Sequence, residues 1–146
     1  GNGRQDPVMT PLRAVRPLRA LLAAAAGLAL AAPAAALDLN SYRAQHRLPR
    51  LSHDSLLAGA AYAHAHDLAN RNHLDHNGFR SRMGSISSTA AENVAYGCAS
   101  EDCVIRMWAR SAGHRRNMLM TGVSRYGIAS ATASNGRKYW VLELGN

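Results

Sequence analysis

"RYGIASATASNGRKYWVLELG", residues 125–145, decides the fold class of this chain. Two β-rich runs of alternating character, "RYGIASATA" and "KYWVLELG", flank "SNGR". An Asn-Gly pair between such runs is a strong hairpin signal, here Asn135-Gly136. Upstream the pattern turns helical. "LNSYRAQHRL" (39–48) reads as a short helix broken by Pro49. "LSHDSLLAGAAYAHAHDLANRN" (51–72) is the longest helical pattern, with Leu57, Ala60, Ala61, His64 and Leu68 on one face and Ser52 or Asp54 placed to cap its start. "DCVIRMWARSA" (102–112) is another, with Val104, Met107 and Trp108 at core spacing and Gly113 expected to end it. Helices first and an antiparallel hairpin last predict an α+β domain with helices packed on a sheet.

Composition narrows the function. Hydrophobic residues make up 47% of the 146, enough to bury a core and to argue against global disorder. The first 36 residues read as an address: Met9, then Arg13, Arg16 and Arg19, then the apolar run "ALLAAAAGLALAA", Pro33 and "AAA". Small residues at the positions a signal peptidase reads predict cleavage after Ala36, and hence a secreted or periplasmic protein. The run is short against the roughly 20 residues that span a bilayer, so no transmembrane helix is expected in the mature part. Residues 1–8 precede the expected start and carry no functional signal. Residues 37–146, with no repeat or linker to divide them, read as one domain holding 13 Lys and Arg against 8 Asp and Glu. That balance suits adhesion to an anionic envelope. The basic residues are dispersed and not interleaved with stacking aromatics, which argues against nucleic acid as a partner.

Export makes the two cysteines readable. Cys98 and Cys103, in "YGCASEDCVIRMW", are expected to form a disulfide in an oxidising compartment. Free thiols are the alternative, and a redox pair is disfavoured because the spacing is not C-x-x-C. Ser100, Glu101 and Asp102 inside the loop suit a helix start.

Candidate chemistry lies between the helices. "NHLDHNGFRSRM" places His76 before Gly78, "AENVAYG" carries Glu92, and "WARSAGHRRNML" carries His114. Two histidines and a carboxylate are the types needed for a zinc-like site or for general acid–base work. Their separations, 16 and 22 residues, specify neither. Equally, Glu92 can hydrogen-bond backbone groups while both histidines close a polar cleft. Ser111 stands three residues before His114, but no Gly-x-Ser-x-Gly elbow or third triad member accompanies it. His64 reads as a packed, hydrogen-bonded residue of a helix face. His66 faces away from it, and His46, His53 and His73 read as surface or capping residues. Arg115 and Asn117 are placed to hold a turn, and Trp108 and Trp140 read as core.

The ordered pieces "LNSYRAQHRLPRLSHDSLLAGAAYAHAHDLA", "LDHNG", "AENVAYG", "MWARSAGHRRNML", "YGIA" and "YWVLELG" resemble the CAP superfamily, in its compact bacterial form. That superfamily embraces cysteine-rich secretory proteins, venom antigen 5 and plant pathogenesis-related proteins. The resemblance implies a three-layer α-β-α sandwich with a central antiparallel sheet, and a cleft lined by two His and two Glu. His76, Glu92 and His114 match three of the four. The fourth departs: larger members have Trp-x-x-Glu, and here Trp108 is followed at that spacing by Ser111. Ala91 replaces the usual glycine before the acid. The resemblance also implies secreted proteins associated with sterol and lipid binding and with cell-surface contacts. The expected function is therefore a binding module for a lipid, peptide or envelope component, with zinc or another divalent cation as a candidate ligand of His76 and His114. The alternative is a metal-dependent hydrolase using water activated at that pair.

Overall fold

The computed structural model describes residues 27–32 and 34–146. The charged start and most of the apolar run of the expected leader lie outside the described residues. Residues 27–32 carry no helix or strand. From Ala34 onward the elements are α1 (Leu39–Gln45), β1 (Ser52–His53), α2 (Ser55–Arg71), α3 (Phe79–Met83), β2 (Ala90–Tyr96), α4 (Glu101–Ala109), α5 (Ala112–Met118), β3 (Arg125–Thr132) and β4 (Lys138–Gly145). Among the described residues, no helix is long and apolar enough to cross a membrane.

The hairpin organises the sheet. β3 and β4 pair antiparallel from Thr132↔Lys138 to Arg125↔Gly145, and β2 joins the other side of β4, giving the order β1-β3-β4-β2. Gly136 takes a left-handed conformation (φ 86°) in the turn, where Ala133 donates to the Arg137 carbonyl, and Asn135 Oδ1 accepts from the Arg137 N–H. Two-residue alternation then gives β4 two faces. Tyr139 and Val141, with Val94 of β2, pack on Ala61, Ala65, Leu68 and Ala69 of α2. Trp140, Leu142 and Leu144, with Ala91 and Ala95, pack on Leu39 and Tyr42 of α1, Val104, Ile105 and Trp108 of α4, and Met118 of α5. Helices on both faces of one sheet make the three layers, and each fully buried large side chain adds about 2 kcal/mol.

α2 crosses β3 at close range. A Cβ on Gly127 would lie 2.1 Å from the Ala58 nitrogen, so only glycine fits there. On the opposite face Arg43 is buried and stitches α1 to the end of α5, donating to the carbonyls of Pro49, Met118 and Met120. The outer edge of β2 is covered by side chains: Asn117 donates to the Glu92 carbonyl and Trp108 to that of Val94. Those bonds remove the acceptors that an exposed edge would offer another chain.

Several local expectations need correction. The long helix starts at Ser55, capped by Asp54, because Ser52 and His53 form a short parallel bridge to Arg125 and Tyr126. The central sheet is thus antiparallel except at this edge. Gly113 does not end a helix. α4 stops at Ala109, and Gly113 lies inside a new helix, α5, entered through Ser111. Met107, placed in the core by spacing, is partly exposed. The disulfide Cys98–Cys103 is formed, and Ser100 caps α4 by accepting from the Cys103 N–H.

Candidate functional site

Sheet register brings two carboxyl groups together. Glu92 of β2 lies directly opposite Glu143 of β4, both side chains on the α2 face and at most 1% exposed. Two carboxylates directly opposite would repel, so the pair must take up a proton, a cation or both. Arg82 of α3 supplies the cation. Its Nη2 and Nε lie 2.6 and 2.9 Å from Glu92 Oε2, its Nε 3.2 Å from Glu143 Oε1, and its Nη1 donates to the Asn77 carbonyl. The other Glu92 oxygen, Oε1, accepts from His76 Nδ1 at 2.7 Å. His64, buried on α2, donates from Nε2 to the Asp75 carbonyl at 2.9 Å and lies 3.6 Å from the same Glu92 oxygen.

The two acids hold different charges. Burial alone would raise the Glu92 carboxyl, but hydrogen bonds from Glu143, His76 and Arg82 outweigh it and keep Glu92 ionised. Glu143 is pushed up to about 10, first by burial and then by its hydrogen bond with Glu92 and by that group's charge. Its Oε2 is buried with no hydrogen-bond donor directed at it among the described residues. A proton on Glu143 accounts for both facts, since a carboxylic acid can donate to the carboxylate opposite.

Above this cluster His76 is half-exposed. It lines a groove of about 290 Å³ with Phe79, Ala90, Ala91, Glu92, Asn117 and Met120. His114 sits on α5, where its carbonyl accepts from Asn93 Nδ2. It lines a second groove, about 380 Å³, with Leu74, Val94, Ala95, Tyr96 and Met107. Burial, and then the charge of His76, lowers the His114 imidazole below its ordinary range. Ser111 stands at the start of α5, and its side chain does not cap the helix.

Position within the cluster decides what each group can do. Glu92 has both oxygens engaged, so it acts as an orienter of His76 and anchor of Arg82 rather than as a free ligand or base. With Nδ1 turned to Glu92, His76 keeps Nε2 for an outside partner, the arrangement seen where a carboxylate orients a metal-binding imidazole. Among the described residues, no group of three His, Cys, Asp or Glu side chains could hold a metal ion. The donor set therefore does not fit a three-ligand zinc centre.

A family model described as CAP, cysteine-rich secretory protein family, matches residues 38–144. The chain belongs to that family. Over 97 residues it is 29% identical to the uncharacterized Bacillus subtilis protein YkwD, covering 61% of this chain and 38% of that one. The fold resembles an outer surface protein of Borrelia burgdorferi, with a TM-score of 0.67 at 19% identity over 74% of this chain and 86% of the other. It also resembles a Bacillus anthracis extracellular protein containing an SCP domain, with a TM-score of 0.65 at 23% identity over 74% and 37%. The chain spans less than half the length of the curated relatives it matches.

Within this cysteine-rich secretory protein fold, the cleft differs from the four-residue set that the sequence suggests. The carboxyl group paired with Glu92 is that of Glu143 on β4, fully buried beneath the groove, and the position of Ser111 supplies none. Arg82 and Glu143 both escaped the sequence reading. Glu143 left a trace: in "YWVLELG" it shares parity with Tyr139 and Val141, so an acid falls on a core-facing position and needs a partner. Arg82 left none, being one of several arginines in a loop-rich segment.

Proposed function

We propose that this chain is an exported binding module that holds an envelope component, a lipid or a peptide, through the grooves along β2. The carrying observation is the engagement of Glu92 by Arg82 and His76, which spends the cleft's one ionised carboxylate on structure. Ala90, Ala91, Phe79 and Met120 around the exposed His76 ring offer apolar contact beside one polar group, the composition of a small ligand site. The extracellular and outer-surface descriptions of proteins with the same fold agree with this reading.

A second reading, a metal-dependent hydrolase working through His76 and His114, draws on the free Nε2 of His76. The two separate by experiment. Co-sedimentation of the full chain, exported and purified, with isolated bacterial cell walls and with phosphatidylglycerol vesicles is expected to survive His76→Ala and His114→Ala. It is expected to fall several-fold with Phe79→Asp, which places a charge in the apolar groove. Retention by neither material, or loss in the two histidine variants with Phe79→Asp unaffected, would overturn the binding-module reading.

A further inference from the structure

The chain passes from exposed to buried at a single residue. Ala34, Ala35 and Ala36 are exposed, whereas Leu37 is 8% exposed and packs into the cluster beneath α1 and α4. Its backbone nitrogen lies 2.5 Å from Asp102 Oδ1 in the first turn of α4. Asp38 follows immediately and caps α1. Glu101 is near enough for the charge of Asp38, after burial, to raise its carboxyl. Two cations act here: Arg106, 3.0 Å from Asp102, and Arg50, whose charge adds to the Ser41 hydrogen bond in lowering Asp38. The Tyr126 phenol, raised by burial and then by Glu101 and Asp38, completes the titratable surroundings. Asp102 thus meets a nitrogen that carries no charge while it belongs to a peptide bond, with Arg106 on the same carboxylate and Asp38, Glu101 and Arg50 interacting nearby.

We propose that Leu37 is the amino terminus of the mature chain and that its ammonium group, seated on Asp102, locks the start of α1 to the start of α4. The proposal rests on removal of the leader after Ala36 by an export peptidase. Water is consumed across the Ala36–Leu37 peptide bond: its oxygen ends in an Ala36 carboxylate, and its two protons convert the Leu37 amide nitrogen into an ammonium. The donor to Asp102 is retained and gains a positive charge, so a hydrogen bond with one charged partner becomes an ion pair with two. Processing therefore tightens the fold.

Lys138 is the only lysine of the sequence, so a chain beginning at Leu37 has two amines. The full chain is produced in a secreting bacterium, the exported product is weighed intact, and its amines are tagged with carbon-13 methyl groups for an NMR pH titration. The expected mass begins at Leu37. The α-amine is expected to titrate above its ordinary value of about 8, the Asp102 carboxylate outweighing burial. Asp102→Asn should return it to the ordinary value without moving Lys138. Because a raised amine stabilises the fold below its unfolded value and loses that effect as pH rises through the folded one, the wild-type melting advantage over Asp102→Asn should shrink in alkali. A different amino terminus would overturn the processing step. A Leu37 terminus whose amine titrates at its ordinary value in the unmutated protein would overturn the seat alone.

Discussion

Glu143 shows how much one buried proton can organise. Kept neutral, it donates to Glu92, and Glu92 is then free to hold both Arg82 and the exposed His76 ring. Its folded value of about 10 lies above the ordinary 4.5, so its contribution is complete below the ordinary value and is lost as pH rises through the folded one. Glu143→Gln replaces the acid by an amide that still donates, and should flatten the fall in stability that the acid imposes between its ordinary and folded values. Glu92→Gln strips Arg82 of its main partner and should cost about 3 kcal/mol. Urea unfolding of the two variants from neutral to alkaline pH checks both, and an undiminished fall in Glu143→Gln would contradict the assigned protonation. At this scale the sequence was partly legible. His64, Trp108 and Trp140 are buried as their surroundings imply, and His76 does meet Glu92. Arg82 could not be found, because its partners lie ten and 61 residues away and only sheet register unites them.

Between elements, α2 sets the position of the cleft. The helix carries His64 and ends just before the segment bearing His76, so its height above the sheet fixes both rings relative to Glu92. Gly127 governs that height, since a methyl group there would strike the Ala58 and Leu57 backbone. Gly127→Ala should therefore cost at least about 3 kcal/mol, at the upper end of overpacking effects, with a matching fall in thermal midpoint. A change under about 0.5 kcal/mol would show that the helix is not seated this closely. Hairpin, helix cores and disulfide were legible because period, turn chemistry and compartment each leave a local mark. β2 was not read as a strand, nor α3 as a helix. "AENVAYG" lacks alternation because strong packing covers both its faces, and a five-residue helix is too short to show a period. Gly113 misled for a related reason: it is tolerated near the start of α5, where Asn93 binds the following carbonyl.

For residues 34–146 as a whole, the cysteine-rich secretory protein fold supplies a three-layer sandwich, and contacts between its elements set the chemistry of the cleft. Fold alone does not assign activity. Two apolar-walled grooves run beside β2, and the acidic pair beneath is held by Arg82. The resemblance visible in the ordered motifs reaches the layers and the cleft's address, but not its charge state, which depends on contacts between four separate elements. The most direct test is calorimetric titration of the purified chain with zinc at neutral and acidic pH, alongside His76→Ala and His114→Ala. A site already closed on Arg82 and Glu143 predicts no binding that depends on both histidines. One-site binding that weakens as the imidazoles protonate and vanishes in each variant would contradict the account and return the cleft to metal chemistry.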